Sequence, residues 1–428
     1  MAIKASPNFS FLIQWWSVIN RRLNPADIQA ICWLILVTNT LILGLAFITQ
    51  VSGRTVFGPQ LGADFGAYYV AGRIYNSLAP ERIYERELHQ QLYHELFPAT
   101  PVNEELPYLN APFFILPFPL LARLHYAWAY LCWVVFSLGL YLAGFTLLYR
   151  TCAALPPESY KTALLLALSF MPFLVECLAG GQTSAVGFFS LAVALSCEQR
   201  GRRVLSGVVL SLCLYKPTLL VLMLPMLVLT RRWASLSGFL LGGGWLALLS
   251  WWLVGTVGGQ SYLKLLFVFA DASASDATTI LKSWKYVDLN SFFRLLLGDF
   301  VTLRWAVTGI VFLGLLLLLV KGWWHAERAE QAQQSWAATI TWSLVLNVYL
   351  GIYDATLVVL SVLLTTAFFY RRAREPQMEL PPVYKLLLLL LYLVPWFTQS
   401  LARLTGVQIF TVVLVLLGGY QLRQLRHD

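Results

Sequence analysis

Charged side chains are scarce in this chain. They make up 12% of its 428 residues, where an ordinary soluble domain carries about 25%, so a surface that faces water on all sides is excluded. The six cysteines, Cys32, Cys132, Cys152, Cys177, Cys197 and Cys213, lie within or at the ends of apolar runs, and none has C-x-x-C spacing. That leaves neither a disulfide framework nor a zinc site. A Walker loop, a G-x-G-x-x-G and an H-E-x-x-H are also missing, which removes the usual signs of nucleotide, dinucleotide and zinc-peptidase chemistry. No basic patch with interleaved stacking aromatics is present, so nucleic acid is not an expected partner.

What is there is apolar. Hydrophobic residues account for 58% of the chain, in stretches that recur from residue 28 to residue 420. Each stretch is near the ~20 residues a helix needs to cross about 30 Å of hydrocarbon, and helices are expected because open sheet edges do not survive without water. The net charge of +9 reads as topology: Arg150, Lys161, Arg200, Arg202, Arg203, Arg231, Arg232, Lys321, Arg371, Arg372 and Arg423 all sit in or beside short connections, as in cytoplasmic loops. About 27 mixed residues precede the first span and no small-residue cleavage site follows it, which argues against a cleaved signal peptide.

The pattern predicts an all-α integral membrane protein with about 12 transmembrane helices and a cytoplasmic N-terminus over 1–27. A first span over 28–49 leads to an extracytoplasmic loop over 50–125, whose part 50–107 is the longest polar segment of the chain and carries both acidic and basic residues. Within it Phe65, Tyr68, Tyr69, Gly72 and Tyr75 recur at helical spacing, and Tyr84 to Leu96 reads as a second amphipathic helix. The two fit helices lying on the membrane surface, or a small cap packing its aromatics on itself. Residues 108–124, with Pro112, Pro117 and Pro119, read as a broken span or a re-entrant segment, and the count of about 12 takes them not to cross. A transmembrane core follows over 126–254, with a hairpin of half-length helices around Lys216 and Pro217. A second outer loop spans 255–302, and C-terminal spans with a cytoplasmic tail occupy 303–428. Gly242, Gly243 and Gly244 within a span are read as close helix packing.

Four polar features fall on one face under this topology: Asp64, the Gly180-Gly181-Gln182 turn, Lys216, and Tyr353 with Asp354. An ionisable residue at membrane depth costs at least ~2.5 kcal/mol and is a functional candidate by default. Each has a plainer explanation. Lys216 can snorkel to the interface, Asp354 and Asp64 can cap the helices that follow them, and Gln182 can satisfy backbone in a tight turn.

The order of motifs resembles the polyprenyl-phosphate-dependent membrane glycosyltransferases of glycosyltransferase family 87. The resemblance is carried by Ala63-Asp64-Phe65 with Tyr68 and Tyr69, by Ile83-Tyr84, and by Tyr108 to Phe113 followed by Pro117 and Pro119. It continues through Gly181-Gln182-Thr183-Ser184, Tyr215-Lys216-Pro217-Thr218, Asn290-Ser291 and Tyr353-Asp354, over about residues 30–370. It departs where a tyrosine-proline-proline run reads Tyr108-Leu109-Asn110-Ala111-Pro112, and where a histidine common before Tyr353 is absent. The resemblance implies a GT-C-like fold and an inverting hexosyl- or pentosyltransferase such as a mannosyltransferase. Its donor would be a lipid-linked sugar and not a nucleotide sugar, its acceptor a glycolipid or glycan, and its site would lie on the outer face of the cytoplasmic membrane. Tyr68, Tyr108, Gln182, Tyr353 and Asp354 would line the substrates.

The chemistry of such a transfer needs a carboxylate to take the acceptor proton, a role that suits Asp64. It also needs a cation on the departing phosphate. Lys216 suits that, with Lys282, Lys285 and Arg294 as further candidates. No second carboxylate stands at D-x-D spacing from Asp64, so no metal or cofactor is implied. The rival classes are a transporter or flippase of lipid-linked saccharides and a non-catalytic assembly protein. A ~60-residue outer loop argues against the first, and the second would tolerate Asp64→Asn.

Overall fold

The computed structural model describes residues 24–426 apart from 52, 78, 99–105, 273–282, 299, 325–328 and 374–378. The expected N-terminal segment up to residue 23 and Lys282 lie outside the described residues. The described chain is helical, with only isolated bridges such as Tyr286 with Gly351 in place of strands. Among the described residues five helices are long and apolar enough to cross a membrane, or up to seven if each of two bent pairs is one span. The protein is thus a multi-pass membrane protein.

The first helix, Pro25–Thr49, begins where Asn24 accepts from the Asp27 N–H (2.9 Å) with proline at the first position, a start that satisfies one orphan donor and loses none. Only Cys32 and Ala46 along it are buried; its other faces suit lipid. Helix Tyr126–Thr151 packs deeper, against Ser184–Gln199. The bent pairs, Pro157–Leu168 with Pro172–Ala179 (52°) and Pro382–Leu393 with Pro395–Thr405 (70°), break at prolines, which remove a ladder N–H and clash with the preceding turn. Small residues set the closest approach. A Cβ on Gly238 would strike the Val204 carbonyl and one on Gly242 would strike Ser211 Oγ, so helix Trp233–Ala272 lies directly on the Arg203–Leu210 backbone.

Two regions differ from their sequence-based expectation. Helix Phe65–Asn76 does not lie on a surface, because nine of its twelve residues are buried. Tyr68 stacks on Phe118 (5.1 Å) and Phe65 on Trp133 (6.2 Å), and Arg86–Leu96 covers it with Tyr93 and His89 turned inward. Beneath it, the short helical turns of Pro112–Leu121 are about 15 Å long, half the thickness of the hydrocarbon layer. The second difference concerns the expected loop after 254. The helix that begins at Trp233 turns at Gly255 (φ 64°, ψ −172°) and continues to Ala272. Its continuation is apolar enough to pack, with Tyr262 buried against Tyr84 (5.5 Å).

The helix ends segregate by charge. At one end Glu198 receives Arg232 (2.5 Å) and Ser235 (3.2 Å), with Arg203 at 4.0 Å, and Arg232 lies 4.2 Å from the centre of the Trp323 ring. The turn at Gln182, Lys216, Asp288 and Asp354 gathers at the other end.

Candidate functional site

The site starts from a glycine turn. Gly181 adopts φ +75°, and a Cβ there would come within 2.7 Å of Phe65 Cβ, so only glycine lets the 180–182 turn meet the Asp64 helix. The turn is held from two sides. Tyr130 donates to the Ala179 carbonyl (2.7 Å), Trp133 donates to Gly181 (3.1 Å), and the Asp64 N–H donates to Gly180 (3.1 Å). Asp64 occupies the cap position of helix Phe65–Asn76 without making the side-chain capping bond, which leaves its carboxylate for other partners.

One of those partners is Gln182. Tyr68 donates to Gln182 Oε1 (3.3 Å), and the Gln182 side chain comes within interaction range of the Asp64 carboxylate. Burial pushes the Asp64 carboxyl above the usual carboxylate range, opposed by the Gln182 side chain and by the positive charges of Lys285 and Lys216. Burial, and then the neighbouring Asp64 charge, keep the Tyr68 hydroxyl protonated as the donor to Gln182.

Lys216 ends the short Ser211–Tyr215 turn, where proline at 217 restarts the chain. Its ammonium pairs with Asp354 Oδ2 and lies 4.7 Å from the centre of the Tyr353 ring. The other oxygen of Asp354 accepts from Ser184 Oγ (2.8 Å), and Asp354 is fully buried while Lys216 keeps 21% of its side chain exposed. Lys216 therefore has ammonium hydrogens left for a ligand. The turn before it is fixed through Tyr215, which donates to the Thr183 carbonyl (3.2 Å) and stacks on Phe114 (4.8 Å).

The structure thus brings Asp64, Tyr68, Gln182, Lys216, Tyr353 and Asp354 into one cluster. Tyr108 stands behind it, edge-on to Tyr68 (6.2 Å) with its hydroxyl on Ala111 (3.4 Å), as part of the wall. Arg294 is tied to Tyr349 (3.2 Å) and touches none of the six among the described residues. Lys285, exposed, lies within electrostatic reach of Asp64. Asp288 is structural: it caps helix Leu289–Leu297, accepting from Ser291 N (2.8 Å), Ser291 Oγ (2.9 Å) and Leu350 N (2.9 Å). Among the described residues no three His, Cys, Asp or Glu side chains are grouped to hold a metal ion.

Two participants escape the sequence reading. Glu176, on the π-helical turn Pro172–Ala179, lies within electrostatic reach of Asp64 and Lys285 and receives Gln399 (3.4 Å). A lone carboxylate in an apolar span was its signal, and π-turns recur at functional sites. Trp133, the donor to Gly181, carries no signal that separates it from other core aromatics.

An apolar helix bundle with a carboxylate, an amide and a partly exposed ammonium assembled near one another defines a membrane protein with a polar site at one end of the bundle. The profile of glycosyltransferase family 87 matches residues 108–350, and the chain belongs to that family. It is accordingly a membrane glycosyltransferase. The match takes in Tyr108, Gln182, Lys216 and Arg294, while Asp64, Tyr353 and Asp354 fall outside it. No curated protein and no solved structure matches the chain.

Proposed function

We propose that the protein transfers a hexose or pentose, such as mannose, from a polyprenyl-phosphate donor to a hydroxyl of a lipid or glycan acceptor at the outer face of the cytoplasmic membrane. The observation that carries this reading is the placement of Asp64. It lies beside Gln182 and within reach of a cation, at the end of the bundle opposite the Glu198–Arg232 knot. Clustered arginines favour the cytoplasm, which puts Asp64 outside. A GT-C-like arrangement of about twelve helical passes returns both chain ends to the arginine side.

In this reaction the acceptor oxygen attacks the anomeric carbon from the face opposite the phosphate. The proton of the hydroxyl passes to Asp64, the sugar–phosphate bond breaks, and its electron pair leaves with the polyprenyl phosphate, inverting the anomeric centre. Asp64 supplies general-base catalysis, of the order of 10² to 10⁴ in rate. The free hydrogens of Lys216 meet the growing charge on the departing phosphate, and Tyr353 holds the ammonium over its ring while Asp354 fixes it from beneath. Transfer in this form draws on no cofactor beyond the donor itself.

The test is incubation of the purified protein in detergent with a panel of polyprenyl-phosphate hexoses and pentoses and a membrane glycolipid extract. Release of polyprenyl phosphate from one donor, with a labelled sugar appearing on an acceptor, is the expected result. No release from any donor would sink the proposal.

A further inference from the structure

Two cations lie over the ring of Trp284: Lys285 Nζ at 5.5 Å from its centre and Arg403 Cζ at 5.7 Å. The platform beneath them is built from buried groups. Gln408, fully buried, donates to the carbonyls of Trp284 (3.0 Å) and Tyr286 (3.2 Å) and itself accepts from Thr398. The helix that carries Arg403, Pro395–Thr405, also sends Gln399 to Glu176 (3.4 Å), so it is joined to the Asp64 site.

Among the described residues several cations have a carboxylate: Lys216 has Asp354, Arg232 and Arg203 have Glu198, and Arg82 has Glu85. Lys285 and Arg403 are exposed, and among the described residues neither forms an ion pair. Two like charges near one ring repel each other, and the cation–π attraction of an exposed pair is weak. An anion would offset these charges, and guanidinium and ammonium groups each match phosphate oxygens. Next to Arg403, Leu404 is 83% exposed and Phe397 on the same helix is 48% exposed. The ligand that suits both features has an anionic head and an apolar tail.

We propose that Lys285 and Arg403, set over Trp284, form a subsite for the phosphate of an amphiphilic lipid substrate at the rim of the Asp64 site. The inference rests on the reading that the substrates are lipid-linked. Trp284 and Lys285 lie inside the family match, and Arg403 and Gln408 lie beyond residue 350, where it ends.

Binding to the full-length protein in detergent tests it, with farnesyl phosphate, farnesol and a short-chain phosphatidylglycerol as probes. The wild type is expected to prefer at least one phosphate lipid over farnesol. The Lys285→Ala/Arg403→Ala variant should lose about tenfold or more of that affinity, the scale of a charge-assisted contact, while Lys285→Arg/Arg403→Lys keeps most of it. Loss confined to farnesyl phosphate assigns the subsite to the donor, and loss confined to phosphatidylglycerol assigns it to an acceptor headgroup. Wild-type affinity of the alanine variant for both phosphate lipids overturns the proposal, as does a wild type that binds them no better than farnesol. If the alanine variant is too unstable to bind farnesol, failure of the charge-retaining variant to bind phosphate overturns it as well. Since no sugar is involved, a wild type that binds phosphate through these residues yet never transfers a sugar would sink the proposed function and leave the subsite standing.

Discussion

The Lys216 ammonium and the Asp354 carboxylate, 138 residues apart in the chain, close on each other where the helix ends meet. Asp354 is fully buried and Ser184 takes its second oxygen. Removing the cation alone strands a buried charge, which costs roughly 3 kcal/mol or more. Lys216→Ala should therefore lower the unfolding temperature clearly, and Lys216→Ala/Asp354→Ala should recover part of the loss. Donor affinity should fall in both, because the double variant also lacks the cation. Lys216→Arg should keep the pair and part of the transfer, with altered geometry. A Lys216→Ala protein that unfolds and binds donor like the wild type would remove Lys216 from both roles.

Gly181 is predicted to be irreplaceable. With φ at +75° an alanine pays about 1–2 kcal/mol for the left-handed backbone, and its Cβ meets Phe65 Cβ at 2.7 Å. Gly201 has nearly the same φ, +73°, but open space around it, so Gly201→Ala isolates the backbone term. Thermal unfolding and transfer assays on the two variants should show a larger stability loss for Gly181→Ala, and a loss of transfer only there. Equal effects of the two would show that the Phe65 contact yields and that the turn is not critical to the site.

The membrane character of the chain was legible because runs of apolar residues near 20 long have few other uses. Asp64, Gln182, Lys216 and Asp354 stood out because polar groups beside apolar runs are costly, and the structure places them together. Their pairing was not legible, since nothing local links Lys216 to a residue 138 positions away. An aromatic stripe such as Phe65, Tyr68 and Tyr69 looks the same whether it faces lipid, water's edge or protein. Its burial depends on Phe118, Tyr126 and Trp133 arriving from elsewhere in the chain. The helix after Gly255 was hidden by the glycines and polar residues that open it. Glu176 carried the signal of a lone carboxylate in an apolar span, but the π-helical turn that holds it is not visible in the sequence.

Topology is open to a direct check. Ser77 and Ser237 are both exposed, at opposite ends of the bundle. In intact cells carrying a variant without its native cysteines, an impermeant thiol reagent is expected to reach a cysteine at position 77 and not one at 237. The reverse pattern would turn the molecule over and place Asp64 in the cytoplasm.

Asp288 predicts a pH-dependent stability. Burial pushes its carboxyl up to about 6, against the hydrogen bonds it accepts from Ser291 and Leu350. An unfolded aspartate titrates near ~3.9, so the folded protein holds this proton more tightly. Its contribution is fully present below about pH 4 and is lost as pH rises through about 6, amounting to roughly 2–3 kcal/mol. Asp288→Asn cannot titrate. The stability of the wild type relative to this variant should therefore decline between pH 4 and 6 and level off above, as read by thermal unfolding in detergent. A difference that stays flat across the window would mean that the hydrogen bonds outweigh burial and that Asp288 is ionised throughout.

Asp64→Asn separates folding from chemistry. The Asp64 side chain makes no capping bond to its helix, and an asparagine keeps nearly the same shape beside Gln182, so the local structure should survive. What is lost is the ability to take a proton, worth about 10² to 10⁴ in rate. The variant is expected to purify, unfold near the wild-type temperature and bind the lipid donor normally, yet transfer almost nothing. The pH profile gives an independent reading. Burial raises the Asp64 carboxyl above the ordinary range, and a base must be ionised to act. Wild-type turnover should therefore fall on acidification at a pH above the ~4 of an exposed carboxyl, and this limb should vanish from the residual activity of Asp64→Asn. Near wild-type turnover by the variant would exclude Asp64 as the base, and an acid limb that persists in it would move the titrating group to Glu176, the other carboxylate within reach of Lys285.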